Sequence, residues 1–167
     1  MIPVDKWNLI RPIFDNAFKS CMHFSMATVN EDGSPHITPI GSLILREDSS
    51  GYFFDEYCTR TRENIARNPR VCFLAVNADR TFWVKSLIKG KFATSPAVRL
   101  MGTVGELREA TSEEIAAWQS RVAFARPTRG YQIMWGRMHS VRDIQFDSFE
   151  PMSTGAMTSG LLELRTA

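Results

Sequence analysis

The stretch from Phe24 to Arg46 constrains the fold of this chain more than any other. Phe24, Met26 and Thr28 alternate with Ser25, Ala27 and Val29, the period of a strand with one buried face. Asn30-Glu31-Asp32-Gly33-Ser34 supplies turn chemistry, and Pro35 to Arg46 resumes with Ile37, Ile40, Leu43, Ile44 and Leu45. Two such runs around a glycine-containing loop predict a β-hairpin and therefore antiparallel sheet. Thr38-Pro39 adds a position within that sheet. Proline gives no N–H to a ladder, so its strand belongs at an edge or a bulge, with neighbouring backbone groups left free.

The flanking segments extend the pattern. Val4 to Phe18 places Trp7, Ile10, Phe14, Ala17 and Phe18 at three- and four-residue intervals, which predicts a helix kinked or restarted at Pro12. Tyr52-Phe53-Phe54 is a short aromatic strand, and Arg60 to Asn68 a short helix stopped by Pro69. Val71 to Val76 is a continuous apolar run, consistent with a strand buried on both faces. Thr81 to Phe92 is ambiguous between strand and helix. Val98 to Leu107 alternates again, with Gly102 and Gly105 where bulges or barrel corners occur. Thr111-Ser112-Glu113-Glu114 is a capping box, opening a helix to about Phe124 with Ile115, Trp118 and Val122 on one face. Arg126 to Gly130 reads as a loop, His139 to Phe149 as the last strand, and residues 151–167 as a loose tail. This order predicts one domain that is mainly β with flanking helices. A helix over about 4–18 precedes an antiparallel barrel, closed or split, over about 23–150.

Composition excludes several classes. A net charge of +2 on 167 residues, with Lys and Arg interspersed among Asp and Glu, argues against nucleic acid and membrane surfaces. Small anions, which need only two or three cations, stay open. No apolar run approaches the roughly 20 residues of a membrane span, and Met1–Lys19 lacks a secretory h-region. Cys21, Cys58 and Cys72 form no C-x-x-C pair, and His23, His36 and His139 show no ligand spacing, so no metal site is expected. The expectation is a cytoplasmic globular protein.

Thr59 to Asn64 carries the chemistry. Arg60 and Arg62, with the Thr59 and Thr61 hydroxyls, lie at the start of the short helix, where free N–H groups and the dipole attract anions. Arginine forks suit a phosphate monoester. The same residues also make an ordinary helix cap with solvated arginines, and their types alone leave both readings open. No nucleophile elbow, Walker loop or paired-carboxylate signature is present.

Three segments now resemble one family: "FSMATVNEDGSPHITPI" over 24–40, "YFFDEY" over 52–57 and "TRTRENIARNPRV" over 59–71. They resemble the pyridoxamine 5′-phosphate oxidase-like family, over roughly residues 5–150 in element order. The resemblance implies an FMN-binding split β-barrel of Greek-key type, with FMN as cofactor at the interface of a homodimer. It implies that Thr61 and Arg62 cradle the flavin phosphate, with Tyr57, Thr59, Arg60 and Asn64 beside them. His36, Ile37, Thr38, Pro39 and Ile40 are implied to meet the isoalloxazine edge. Trp135 and Arg137 are implied to cover the flavin from the second subunit, and Arg99 to approach from the fifth strand. Two departures stand out. Many members place lysine directly after the arginine, where this chain has Glu63, and the residues that hold a pyridoxal ring are not located in this chain, so the resemblance carries over the cofactor and not that substrate. The expected function is an FMN-dependent oxidoreductase acting on a small molecule. The alternatives are a non-catalytic or stress-related flavin-binding module, and a barrel carrying haem or deazaflavin.

Overall fold

The strands are β1 (Phe24–Val29), β2 (Pro35–Ile40), β3 (Ile44–Leu45), β4 (Ser50–Phe54), β5 (Arg70–Val76), β6 (Ala97–Glu109) and β7 (Ser140–Pro151). The helices are α1 (Val4–Cys21), α2 (Thr59–Arg67), α3 (Arg80–Lys89), α4 (Ser112–Arg121) and α5 (Arg129–Met134). In the computed structural model, which describes residues 2–161, the strands form one antiparallel sheet in the order β2-β1-β5-β6-β7-β4-β3. Its two edges, β2 and β3, are separated in the chain by only Gly41, Ser42 and Leu43. That link reaches on the order of 14 Å from Ile40 to Ile44. The sheet therefore curls until its edges nearly meet without pairing, which is a split barrel. Across the gap the Ser42 hydroxyl accepts from the Phe54 N–H (3.1 Å) and donates to the Phe54 carbonyl (3.3 Å).

The interior follows from the alternation in β1. Phe24 and Met26 point inward with Phe73, Leu100 and Phe146, and α1 closes one end with Trp7, Ile10 and Phe14. Trp7 also donates its indole N–H to the Arg46 carbonyl at 2.8 Å, so a buried polar atom is satisfied. Two close approaches shape β6, whose register shifts between Met101 and Gly102 and again between Val104 and Leu107. A Cβ on Gly102 would lie 2.5 Å from the Gln145 carbonyl oxygen, so only glycine fits there.

Several expectations change. The run Pro35–Arg46 is not one strand: it breaks after Ile40, and Ile44-Leu45 pair with β4 at the far edge. Pro12 lies inside α1, which runs on to Cys21. Thr81–Phe92 resolves as helix because Asp79 caps it, accepting from the Phe82 N–H, and Gly90 ends it in the left-handed region. The loop around Gly130 contains α5, capped by the Thr128 hydroxyl. β5 buries one face only, since Cys72, Leu74 and Val76 on the outer face are half-exposed. In the segment read as a tail, residues 155–158 make a 3₁₀ turn and Thr158 is buried, while 162–167 lie outside the described residues.

Candidate functional site

β2 and α2 meet at one end of the split. α2 begins at Thr59 behind Cys58, and no side chain caps its first amides, so neither threonine serves as the cap. Asn64 is fully buried and donates to Thr28 Oγ1 and Asn30 Oδ1, both at 3.0 Å, while Arg67 donates to its carbonyl oxygen. These bonds fix α2 against β1. Thr61 is buried beside β2, its Oγ1 3.5 Å from His36 Nε2, and Thr38 Oγ1 lies 3.3 Å from the same nitrogen. Thr59 and Arg60 are exposed. An open groove at this corner is lined by His36, Arg60, Asn30, Glu31 and Asp32.

The two arginines of α2 have different partners. Arg62 donates from Nη2 to the Asp55 carbonyl (2.5 Å) and from Nε to Asp55 Oδ2 (3.4 Å). Arg142 on β7 donates from Nε to the same Oδ2 at 2.7 Å. Asp55 is completely buried, so both guanidiniums compensate its charge, and its Oδ1 meets no partner among the described residues. Arg60 faces solvent instead, in an i,i+3 contact with Glu63 at 3.8 Å. Of the two, Arg60 is the more open, its side chain 63% exposed against 42% for Arg62.

A cleft of about 280 Å³ lies at the other end of β2, in the split itself. Pro39, Ile40, Gly41 and Ser42 line one side, and Tyr57 and Cys58 lead from it directly into α2. Its aromatic walls are Phe18, Phe54, Trp118 and Trp135, with Met22, Met134 and Met138 filling between them. Trp118 and Trp135 meet edge to face with centroids 6.0 Å apart. The Tyr57 hydroxyl donates to the Met134 carbonyl at 2.7 Å, holding the end of α5 over the cleft. No Asp, Glu, Lys or Arg lines the cleft, and burial, helped by Asp55, raises the pKa of the Cys58 thiol, which keeps it protonated and unreactive.

The sequence-derived residues thus divide. His36, Thr38, Arg60 and Thr61 gather at the groove, and Pro39, Ile40, Tyr57 and Trp135 at the cleft. Trp135 reaches the cleft from its own chain. Ile37 points outward and is 66% exposed. Arg99 pairs with Glu150 at 3.0 Å on the outer sheet face, three strands from β2. Arg137 is exposed between α5 and β7, its carbonyl 3.0 Å from His139 Nδ1. Ser42 and Trp118 at the cleft carry no local motif, and Phe54 at the cleft and Asp55 under α2 lie within the YFFDEY segment without a role of their own in the sequence reading. Only the amphipathic spacing of α4 pointed Trp118 inward.

Comparison with known proteins bears on this arrangement. Residues 12–145 match the family model described as pyridoxamine 5′-phosphate oxidase. Among solved structures, an FMN-binding protein from Syntrophomonas wolfei superposes with a TM-score of 0.59 at 12% identity, covering 89% of this chain and 88% of that one. HupZ from Group A Streptococcus gives 0.56 at 20% identity over 94% and 98%. HutZ, the haem storage protein from Vibrio cholerae, gives 0.50 at 15% identity over 84% and 92%. At these identities the likeness is one of fold. No curated protein matches the sequence.

Proposed function

Since this chain belongs to the pyridoxamine 5′-phosphate oxidase family, we propose that it binds FMN along β2, phosphate at the α2 corner and ring in the split, and acts as a small-molecule oxidoreductase. One observation carries the reading. A corner that presents Arg60 and uncapped helix amides, and an aromatic cleft without Asp, Glu, Lys or Arg, are joined by a single edge strand. From His36 to Ile40 that strand advances about 13 Å, a span suited to a ribityl chain between phosphate and ring. Arg60, the Thr59 hydroxyl and the first amides of α2 hold the phosphate, with His36 beside them. Glu31, Asp32 and Glu63 weaken the grip. Asp55 holds Arg62 and Arg142 in place beneath the helix and takes no part in phosphate binding. The aromatic and methionine walls exclude water from the ring, and the free backbone groups beside Pro39 meet its polar rim. Bound flavin supplies hydride and electron transfer, which accounts for a site without a catalytic triad or paired acid.

We further read the outer sheet face as the seat of a second copy of the chain. Cross-strand neighbours Ile37, Ala27, Cys72 and Met101 form one apolar row over four strands, with Ile37 66% exposed and the other three partly exposed. An exposed row of this kind marks an interface more often than a solvated face.

The test is a spectrum with a titration. Protein incubated with FMN is expected to retain absorption near 450 nm, and Arg60→Ala to weaken FMN by roughly 10- to 100-fold, as for a charge-assisted bond. A Soret band from added haem with no retained flavin overturns the reading.

A further inference from the structure

We infer that Trp118 is the hydrogen-bond donor that fixes a carbonyl of the planar ring held in the split, an inference that rests on the flavin reading above. Trp118 is 3% exposed and lines the cleft, yet its indole Nε1–H meets no acceptor among the described residues. A buried donor left unpaired costs on the order of 1–3 kcal/mol, so a fold that keeps one commonly reserves it for a ligand or a water. Two other indoles are satisfied, Trp7 on the Arg46 carbonyl and Trp83 on the Asn77 carbonyl at 2.6 Å, while Trp135, half-buried on the same cleft, makes no indole hydrogen bond among the described residues. Three other polar side chains of the cleft are engaged, among them His23, whose Nδ1 lies 2.8 Å from the Cys21 carbonyl. The Ser42 hydroxyl is bound to Phe54, and the Tyr57 hydroxyl to Met134.

The chemistry of the ring follows from that wall. With no charged side chain lining it, the cleft suits an uncharged ring, and aromatic faces with thioethers suit a flat one. The unpaired Trp118 N–H favours a ring that offers an acceptor. The two carbonyls of an isoalloxazine meet all three conditions. A ring without an acceptor meets only the first two. α4 also sets the donor's position: the capping box holds Glu114, and Trp118 follows one turn later on the same face.

Lumiflavin, which has the ring and no phosphate, separates this inference from the reading beneath it. In the full-length wild-type chain, lumiflavin is expected to move the Trp118 indole N–H resonance downfield, with the assignment taken from its absence in Trp118→Phe. Trp118→Phe keeps the aromatic wall and is expected to weaken lumiflavin and FMN alike, by roughly 3- to 10-fold. Anthracene, a flat tricycle without any hydrogen-bond acceptor, should bind both proteins equally, and Arg60→Ala should weaken FMN alone. An unmoved resonance on lumiflavin binding, or equal lumiflavin affinity in Trp118→Phe, overturns the role of Trp118 while leaving FMN binding intact. An equal loss for anthracene overturns it as well, because the indole would then act by packing alone. Failure of the wild-type chain to bind either flavin overturns the flavin reading itself.

Discussion

At the residue scale, Arg60 and Arg62 stand two positions apart and have opposite roles. Arg62 neutralises the buried Asp55 together with Arg142, whereas Arg60 is directed to solvent at the groove. Arg142→Ala leaves a completely buried carboxylate with a half-exposed partner at 3.4 Å, and is expected to cost about 3–5 kcal/mol in urea unfolding. Arg62→Ala is expected to cost less, because Arg142 stays at 2.7 Å, and to leave FMN affinity nearly unchanged. The sequence offers no sign of this division. Both arginines sit in the same motif, and the partner that separates them, Asp55, is identified only when β4, α2 and β7 are brought together. Trp118 illustrates the same limit. Its burial is legible from helical spacing, but the missing acceptor is a property of everything packed around it.

Elements were legible where the signal was local. The hairpin of β1 and β2 followed from alternation plus turn residues, the end of α2 from Asn68-Pro69, and the start of α4 from its capping box. The capping box proves to be part of a larger cluster. Glu114 accepts from the Thr111 N–H at 3.0 Å and from both Arg46 and Arg108, and the same arginines bind Asp143 on β7. The hydrogen bonds from Arg108 hold the Glu114 and Asp143 carboxyls at about 2. Folded values below the unfolded ones mean that this stability is complete above about pH 4.5 and is lost as pH falls towards 2. For the largely buried Glu114 it amounts to roughly 2–3 kcal/mol. The thermal midpoint is expected to stay level from pH 7 to 5 and then fall, with a shallower fall in Glu114→Gln; equal acid profiles for the two proteins would refute the assignment. In β6, Gly102→Ala drives a Cβ onto the β7 backbone and is expected to destabilise by about 1–3 kcal/mol by calorimetry.

For the whole molecule, the sequence order announced an antiparallel barrel, and the split follows from three linking residues that oblige two sheet edges to approach. The half-exposed outer face of β5 was not legible, because a continuous apolar run looks the same whether the chain covers it or a second copy does. If a second copy seats there, Ile37→Glu is expected to shift sedimentation from dimer to monomer, while a dimer that persists would place the interface elsewhere. Among the described residues no helix is long and apolar enough to cross a membrane. The sharing of Glu114 has a consequence for how such a chain can vary. One carboxylate caps α4, anchors Arg46 from β3's end and Arg108 from β6, and precedes Trp118 by one turn. Substitutions at Thr111, Arg46 and Arg108 should therefore be epistatic, each harmless or costly depending on the others, whereas any replacement of Glu114 disturbs cap, sheet and binding cleft in a single mutational step.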